Sequence, residues 1–226
     1  MVKISKRMKE AAKVTDKLKR YTVDEALDCI TGFPKVKFDE TVELHLSLNI
    51  SSKSSDQSIR GTVALPHGLG KTIRVACFCK GELELKAKEA GADFVGSDDL
   101  VDKVSKGFLD FDVVVAAPDM MRDLGKLGKV LGPRGLMPSP KAGTVTVDVD
   151  KAIREVKAGK IEFKSDKQAG IHVGLGKRSF SKEKLKENFD QLLDAINHAK
   201  PASVKGNLIK TASLSTTMGP GLRIDL

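Results

Sequence analysis

Tryptophan is absent from this 226-residue chain, and Tyr21 is its single tyrosine. A broad base-stacking platform of the kind that grips single strands needs several exposed rings, so that mode of recognition is not expected. No run approaches the roughly 20 consecutive apolar residues of a membrane-spanning helix. The opening stretch, MVKISKRMKEAAKVTDKLKR, has no apolar core, so no secretory signal is expected. Cysteine is scarce: Cys29, Cys77 and Cys79, an odd number with no CxxC pair, which fits reduced thiols inside a cell. Cys77 and Cys79 stand two apart in a strand-like run, TIRVACF, and are expected as buried small hydrophobes rather than metal ligands. His45, His67, His172 and His198 are scattered, none at metal or triad spacing from a Cys, Asp or His. No metal, no cofactor and no catalytic residue is expected.

Positive charge is plentiful. The formal net charge is +9. Residues 1–20 contribute +6, residues 21–66 −3, residues 67–158 +1 and residues 159–226 +5. The two ends of the chain are therefore basic and the middle is nearly neutral. A basic surface releases counterions from a polyanion, which points to nucleic acid. An anionic membrane would attract the same charge, but no amphipathic helix carries the bulky aromatics needed to enter one. With few rings available, shape, ribose 2′-OH and phosphate contacts are the expected means of recognition. The segment RDLGKLGKVLGPRGLMPSPKAG (122–143) carries Arg122, Lys126, Lys129, Arg134 and Lys141 against Asp123 alone. Its five glycines and three prolines predict a shaped cationic loop rather than a long helix.

The chain begins as a basic, partly helical arm. Thr22 and Glu25 form a capping-box signature for a helix that Gly32 stops. In ETVELHLSLNI the apolar residues Val42, Leu44, Leu46, Leu48 and Ile50 alternate with polar ones, which predicts a half-buried strand. SSKSSDQS (51–58) reads as a polar loop, RGTVAL as a short strand and PHGLG (66–70) as a break. Strand and helix patterns then alternate: TIRVACF, GELELKAKEAG, ADFV, DDLVDKVSKG, DVVVAA, PDMMRDLGKL and DVDKAIREVKAG. That order predicts a layered α/β unit with a largely parallel sheet. After Gly159 come strands in IEFK and AGIHVGL, an amphipathic helix over 181–200, and final strands in GNLIKTASLST and LRIDL. The simplest organisation folds both ends into one discontinuous domain and joins the insert through two adjacent strands, with PHGLG and AGK as a hinge. One continuous domain is the alternative.

Two glycine-rich runs imitate enzyme motifs. GLGKT (68–72) ends like a phosphate-binding loop, but Leu65 stands where the motif needs glycine. GLGKRS (174–179) begins like GxGxxG and ends in Ser179. A nucleotide-binding enzyme that uses the α/β insert is the rival reading. Tight ATP or NAD binding would favour it.

Five blocks carry a resemblance: KFDETVELHLSLNI (37–50), SDQSIRGTVALPHGLGK (55–71), LGPRGLMPSPKAGTV (131–145), GKIEFKSDKQAGIHVGLGK (159–177) and STTMGPGLRI (215–224). In this order and spacing the chain resembles the ribosomal protein L-one family, of bacterial or organellar type. The resemblance implies a discontinuous α+β domain (1–66 and 160–226) and an inserted Rossmann-like three-layer α/β domain (67–159) on a two-strand hinge. The hinge residues would be Pro66, His67, Gly68, Gly70 and Gly159. It further implies a non-enzymatic, cytoplasmic ribosomal protein, monomeric when free, at the mobile stalk of the large subunit. Its implied partners are large-subunit ribosomal RNA, its own messenger RNA (whose translation it represses) and exit-site tRNA, with no membrane. The implied RNA-binding residues are Lys37, Phe38, Thr41, Glu43, Thr211, Ser213, Thr217, Met218 and Gly219, flanked by Asp166, Lys167 and His172. In that reading Thr41 and Thr217 meet ribose hydroxyls, Lys37 and Lys167 meet phosphates, and Phe38 and Met218 offer apolar surface.

Overall fold

The computed structural model describes residues 5–16, 18–50, 58–201, 203–204 and 206–226. The polar run at 51–57 lies outside the described residues. The chain is a mixed α/β protein that divides into two compact units, 1–70 with 162–226, and 71–161.

In the first unit, α1 (Lys6–Val14) and α2 (Val23–Gly32) precede β1 (Thr41–Leu48) and β2 (Arg60–Ala64). Both halves of the Thr22–Glu25 capping box form, which satisfies amides that the first turn of α2 would leave bare. The alternation of β1 is regular: Val42, Leu44, Leu46 and Leu48 are buried, and the residues between them are half-exposed. The chain returns to this unit through β6 (Lys160–Lys164), which pairs with β2, and continues with β7 (Gly170–Lys177), α8 (Lys182–His198), β8 (Ile209–Thr216) and β9 (Leu222–Ile224). The main sheet has the order β7-β1-β8-β9, and each of its neighbouring pairs is antiparallel. Helices α2 and α8 pack on this sheet. Leu185, Phe189, Leu192 and Ile196 of α8 are buried, as their helical spacing requires. An antiparallel sheet covered on one side leaves its other side to solvent, and every second side chain of β1 points there.

The second unit contains β3 (Val75–Phe78), α3 (Glu82–Glu89), β4 (Phe94–Gly96), α4 (Asp98–Ser105), β5 (Val113–Ala116), α5 (Met121–Lys126), α6 (Gly128–Leu131) and α7 (Val149–Lys157). Its sheet is parallel, in the order β4-β3-β5. Both faces are covered, so β3 is buried at every position. Phe78, Leu100, Leu124 and Leu131 form one core layer; Val75, Cys77, Val115 and Ile153 form the other. Cys77 and Cys79 belong to that second layer, fully buried with their sulfurs 3.7 Å apart, and burial pushes both thiols up, Cys77 the more strongly. The cationic segment 122–143 does not form a long helix. It is two short helices and turns, anchored by buried Leu124, Leu127 and Leu131. Its cations Arg122, Lys126, Lys129, Arg134 and Lys141 are exposed, and Lys126 pairs with Asp123 at 2.8 Å.

Neither glycine-rich run has the setting of a nucleotide loop. Gly68–Gly70 leads into β3 rather than into a helix, and Gly174 and Gly176 lie inside β7. A phosphate cradle needs a helix N-terminus directly after the loop.

Candidate nucleic-acid interface

The open face of the main sheet is built from three cross-strand rows. Gly174, Glu43 and Ser215 form the first, His172, His45 and Ser213 the second, and Gly170, Ser47 and Thr211 the third. Apart from the two histidines and Glu43, these side chains are small. A polar face of such low relief lets another backbone come close, which bulky side chains would prevent.

Two loops flank the Thr41 end of this face. One carries Lys37 and Phe38 just before β1; Phe38 is 53% exposed and so is no core residue. The other is the turn after β8, with Thr217, Met218 and Gly219; Met218 is 49% exposed. The Thr217 amide donates to the Thr41 carbonyl at 3.0 Å, and the Thr41 amide donates to the Thr217 hydroxyl at 2.9 Å. Lys177 donates to the Thr41 hydroxyl at 3.4 Å. Both threonine hydroxyls therefore have partners inside the protein, and their first task is to join the turn to β1.

At the far end of the face, the β6–β7 turn carries Asp166 and exposed Lys167. Asp166 Oδ1 accepts from the amides of Gly170 (2.6 Å) and Gln168 (2.8 Å). Those two amides are the main reason its carboxyl sits below the usual carboxylate range; His172, with Nε2 3.7 Å from Oδ2, adds to the effect. Asp166 shapes this turn, which also holds Ala169 at a φ of 63°.

Spacing along the chain separates His45 and His172, yet the antiparallel register of β1 and β7 places them opposite each other. Their Nδ1 atoms are 2.9 Å apart, and His45 Nε2 lies 2.8 Å from the Ser215 hydroxyl. Only one proton fits between the two facing nitrogens. Burial, and next the neighbouring His172, lower the pKa of His45 from its ordinary 6.5, against the opposing pull of Glu43. The sign follows. The unfolded chain takes up the proton first as pH falls, so stability is full above about 6.5 and declines below it. Thermal melts of the first unit should therefore shift downward from pH 7 to pH 5, and His45→Asn should flatten that dependence. Parallel slopes for the two proteins would remove His45 from the acid response.

Of the residues named for the hinge, Pro66, His67, Gly68 and Gly70 lie at the edge of the first unit and Gly159 at the edge of the second. His67 Nε2 meets Glu187 at 2.5 Å, and the His67 amide donates to Asn188 Oδ1 at 3.2 Å. Asn188 Nδ2 donates to the Gly68 carbonyl at 3.1 Å and to the Leu175 carbonyl at 2.7 Å. Pro66 is exposed, Gly68 and Gly70 have φ of 60° and 67°, and Gly159 has φ of 110° after α7. Among the described residues, no group of three His, Cys, Asp or Glu side chains is placed to hold a metal ion, and no helix is long and apolar enough to cross a membrane.

Comparison with known proteins gives a consistent result. Residues 30–220 match the profile of the ribosomal protein L1p/L10e family. The chain is 56% identical over 225 residues to the large ribosomal subunit protein uL1 of Solidesulfovibrio magneticus, covering all of this chain and 96% of that one. It is 58% identical over 222 residues to the uL1 protein of Protochlamydia amoebophila, covering 98% and 94% of the two chains. With the uL1 protein of Thermosipho africanus it shares 55% identity over 226 residues, covering 100% and 97%.

Proposed function

We propose, from the premise that this chain belongs to the ribosomal protein L1p/L10e family, that it is a non-enzymatic constituent of the large subunit of cytoplasmic ribosomes and binds the ribosomal RNA of the mobile stalk. The observation that carries the RNA reading is the open face of β7, β1 and β8, small and polar across three rows and flanked by the Lys37–Phe38 and Thr217–Gly219 loops. Phosphates would meet Lys37 and Lys167, and 2′-OH groups the hydroxyls of Ser213, Ser215 and Thr211. Phe38 and Met218 would lie against sugar or base faces. The same face would recognise a similar structure in the protein's own messenger RNA and so repress its translation. The exposed cations of residues 122–143 are assigned to exit-site tRNA, whose release the second unit would assist by moving on the links at Pro66–Gly70 and Gly159.

Binding of the full chain to a large-subunit stalk RNA fragment, across a salt series with an unrelated duplex as competitor, tests this reading. Preference for the stalk RNA should persist at high salt, because shape and hydroxyl contacts are not screened as phosphate pairs are. If all preference vanishes with salt, the basic ends act as a general polyanion binder and the face is not a recognition site. The parallel three-layer second unit supports the rival reading of a nucleotide-binding enzyme. Titration with ATP and NAD should show no tight binding; a tight complex would favour the rival.

A further inference from the structure

Glu40 is a carboxylate 1% exposed, just before β1 at the Thr41 end of a face proposed to receive a polyanion. Its Oε1 accepts from the Met218 amide at 3.1 Å and from the Thr216 hydroxyl at 3.2 Å. Its Oε2 accepts from Arg178 Nη1 at 2.8 Å. Arg178 donates in turn to the carbonyls of Thr31 (3.1 Å), Phe33 and Pro34 (3.4 Å), and its own amide donates to the Glu40 carbonyl at 2.8 Å. The pair thus ties the end of α2 and the segment leading to Lys37 and Phe38 to the turn that carries Thr217, Met218 and Gly219. Arg7 of α1 completes the arrangement. Its guanidinium donates to the Met218 carbonyl and lies 3.8 Å from Glu40 Oε1. The Met218 residue is therefore held through both its N–H and its C=O.

A buried ion pair is weak grounds for stability, since removing its charges from water costs much of what their attraction returns. What this pair has is direction: Arg178 donates to three carbonyls at and after the end of α2, and Glu40 accepts from the backbone amide of Met218. We propose that Glu40 and Arg178 are positioning residues for RNA recognition, which set the Lys37–Phe38 and Thr217–Gly219 loops in register without touching RNA themselves. The inference rests on the RNA-binding reading above and names what makes that site specific.

The decisive comparison uses the full chain with Glu40→Met and Arg178→Met together, beside Glu40→Gln and Lys37→Ala. Removing both charges avoids stranding either one, so the double variant is expected to fold. Its affinity for the stalk RNA fragment should fall by about 10- to 100-fold, taking as a guide the scale on which outer-shell residues of metal sites act. The slope of log affinity against log salt should stay unchanged, because no phosphate contact is lost. Duplex binding should also stay unchanged, and the Met218 amide should exchange faster with solvent. Lys37→Ala should behave oppositely and lower the salt slope by about one contact's worth. Glu40→Gln keeps an acceptor for the Met218 amide and should fall between wild type and the double variant. A folded double variant that binds stalk RNA within about twofold of wild type overturns the proposal, as does a changed salt slope. Should wild type itself show no preference for stalk RNA, the RNA-binding reading fails. A protected Met218 amide that loosens in the double variant would still register the clamp.

Discussion

Asn188→Ala should destabilise the first unit by about 2–4 kcal/mol, since leaving a buried polar group unpaired costs roughly 1–3 kcal/mol and this side chain serves three backbone groups. Asn188 is fully buried within α8. Its amide donates to the carbonyls of Gly68 and Leu175, and its carbonyl accepts from the His67 amide. The carbonyl of Leu175 is buried and would find no replacement partner; those near His67 are closer to solvent and would recover part of the loss. Alanine also gains about half a kcal/mol of helix propensity over asparagine, which offsets little. The composition of the chain supplies the probe. With no tryptophan and one tyrosine, fluorescence reports Tyr21 alone. Tyr21 is buried in the first unit, bridged to Ile224 and accepting from the Asp16 amide through its hydroxyl. With Cys29 of the first unit replaced by serine in both proteins, Cys77 and Cys79, buried in the second unit, report that unit by their reactivity with a thiol reagent. The denaturation midpoint followed at Tyr21 should fall, while thiol exposure should keep its wild-type midpoint. A Tyr21 transition shifted by less than about 1 kcal/mol would mean that water replaces the amide, and that this segment is not held through Asn188.

Local patterns made much of this fold readable from the residues. The alternation in ETVELHLSLNI gives β1 because a strand's side chains have a period of two, and burial follows it residue by residue. Thr22 and Glu25 announce α2 because their side chains answer a need local to one turn. The alternation of strands and helices from Val75 onward gives the parallel sheet of the second unit. The site was less legible, because its working parts are joined across the sheet rather than along the chain. His45 meets His172 across β1 and β7, Glu40 just before β1 meets Arg178 just after β7, and Asn188 of α8 meets Gly68 after β2. Spacing arguments look within a few residues and cannot see such pairs. Glu40 has a further disguise. In KFDETVEL it reads as one more surface acid before a strand, and nothing local says that Arg178 will bury it. The hydroxyl of Thr217 is a second case. Its residue type suits a ribose contact, and nothing local announces that it also accepts from the amide of Thr41.

Gly219→Ala should cost about 1–3 kcal/mol, the usual penalty for forcing a methyl group into a packed site, and should also weaken stalk RNA binding. A Cβ at Gly219 would lie 2.3 Å from the Thr216 hydroxyl and 3.2 Å from the ring of Phe33. Phe33 is buried and cannot retreat freely, so the threonine must turn or the backbone must lift. If the threonine turns, its hydroxyl leaves Glu40; if the backbone lifts, the Gly219 amide leaves the Thr216 carbonyl, now 3.0 Å away. Either response loosens a contact beside Met218, which stands between them and is half-exposed on the turn. A control lies two residues away. A Cβ at Gly221 meets nothing within 4 Å, so Gly221→Ala should change stability by no more than about 0.5 kcal/mol. It should leave RNA affinity at the wild-type level. Tyr21 fluorescence and the salt series measure both quantities on both variants. Equal behaviour of the two variants would show that the turn yields to a methyl group without consequence, and that its close fit against Thr216 and Phe33 does not set the geometry of the face. A loss confined to Gly219→Ala, in stability and in affinity together, would tie the packing beneath the turn to recognition above it.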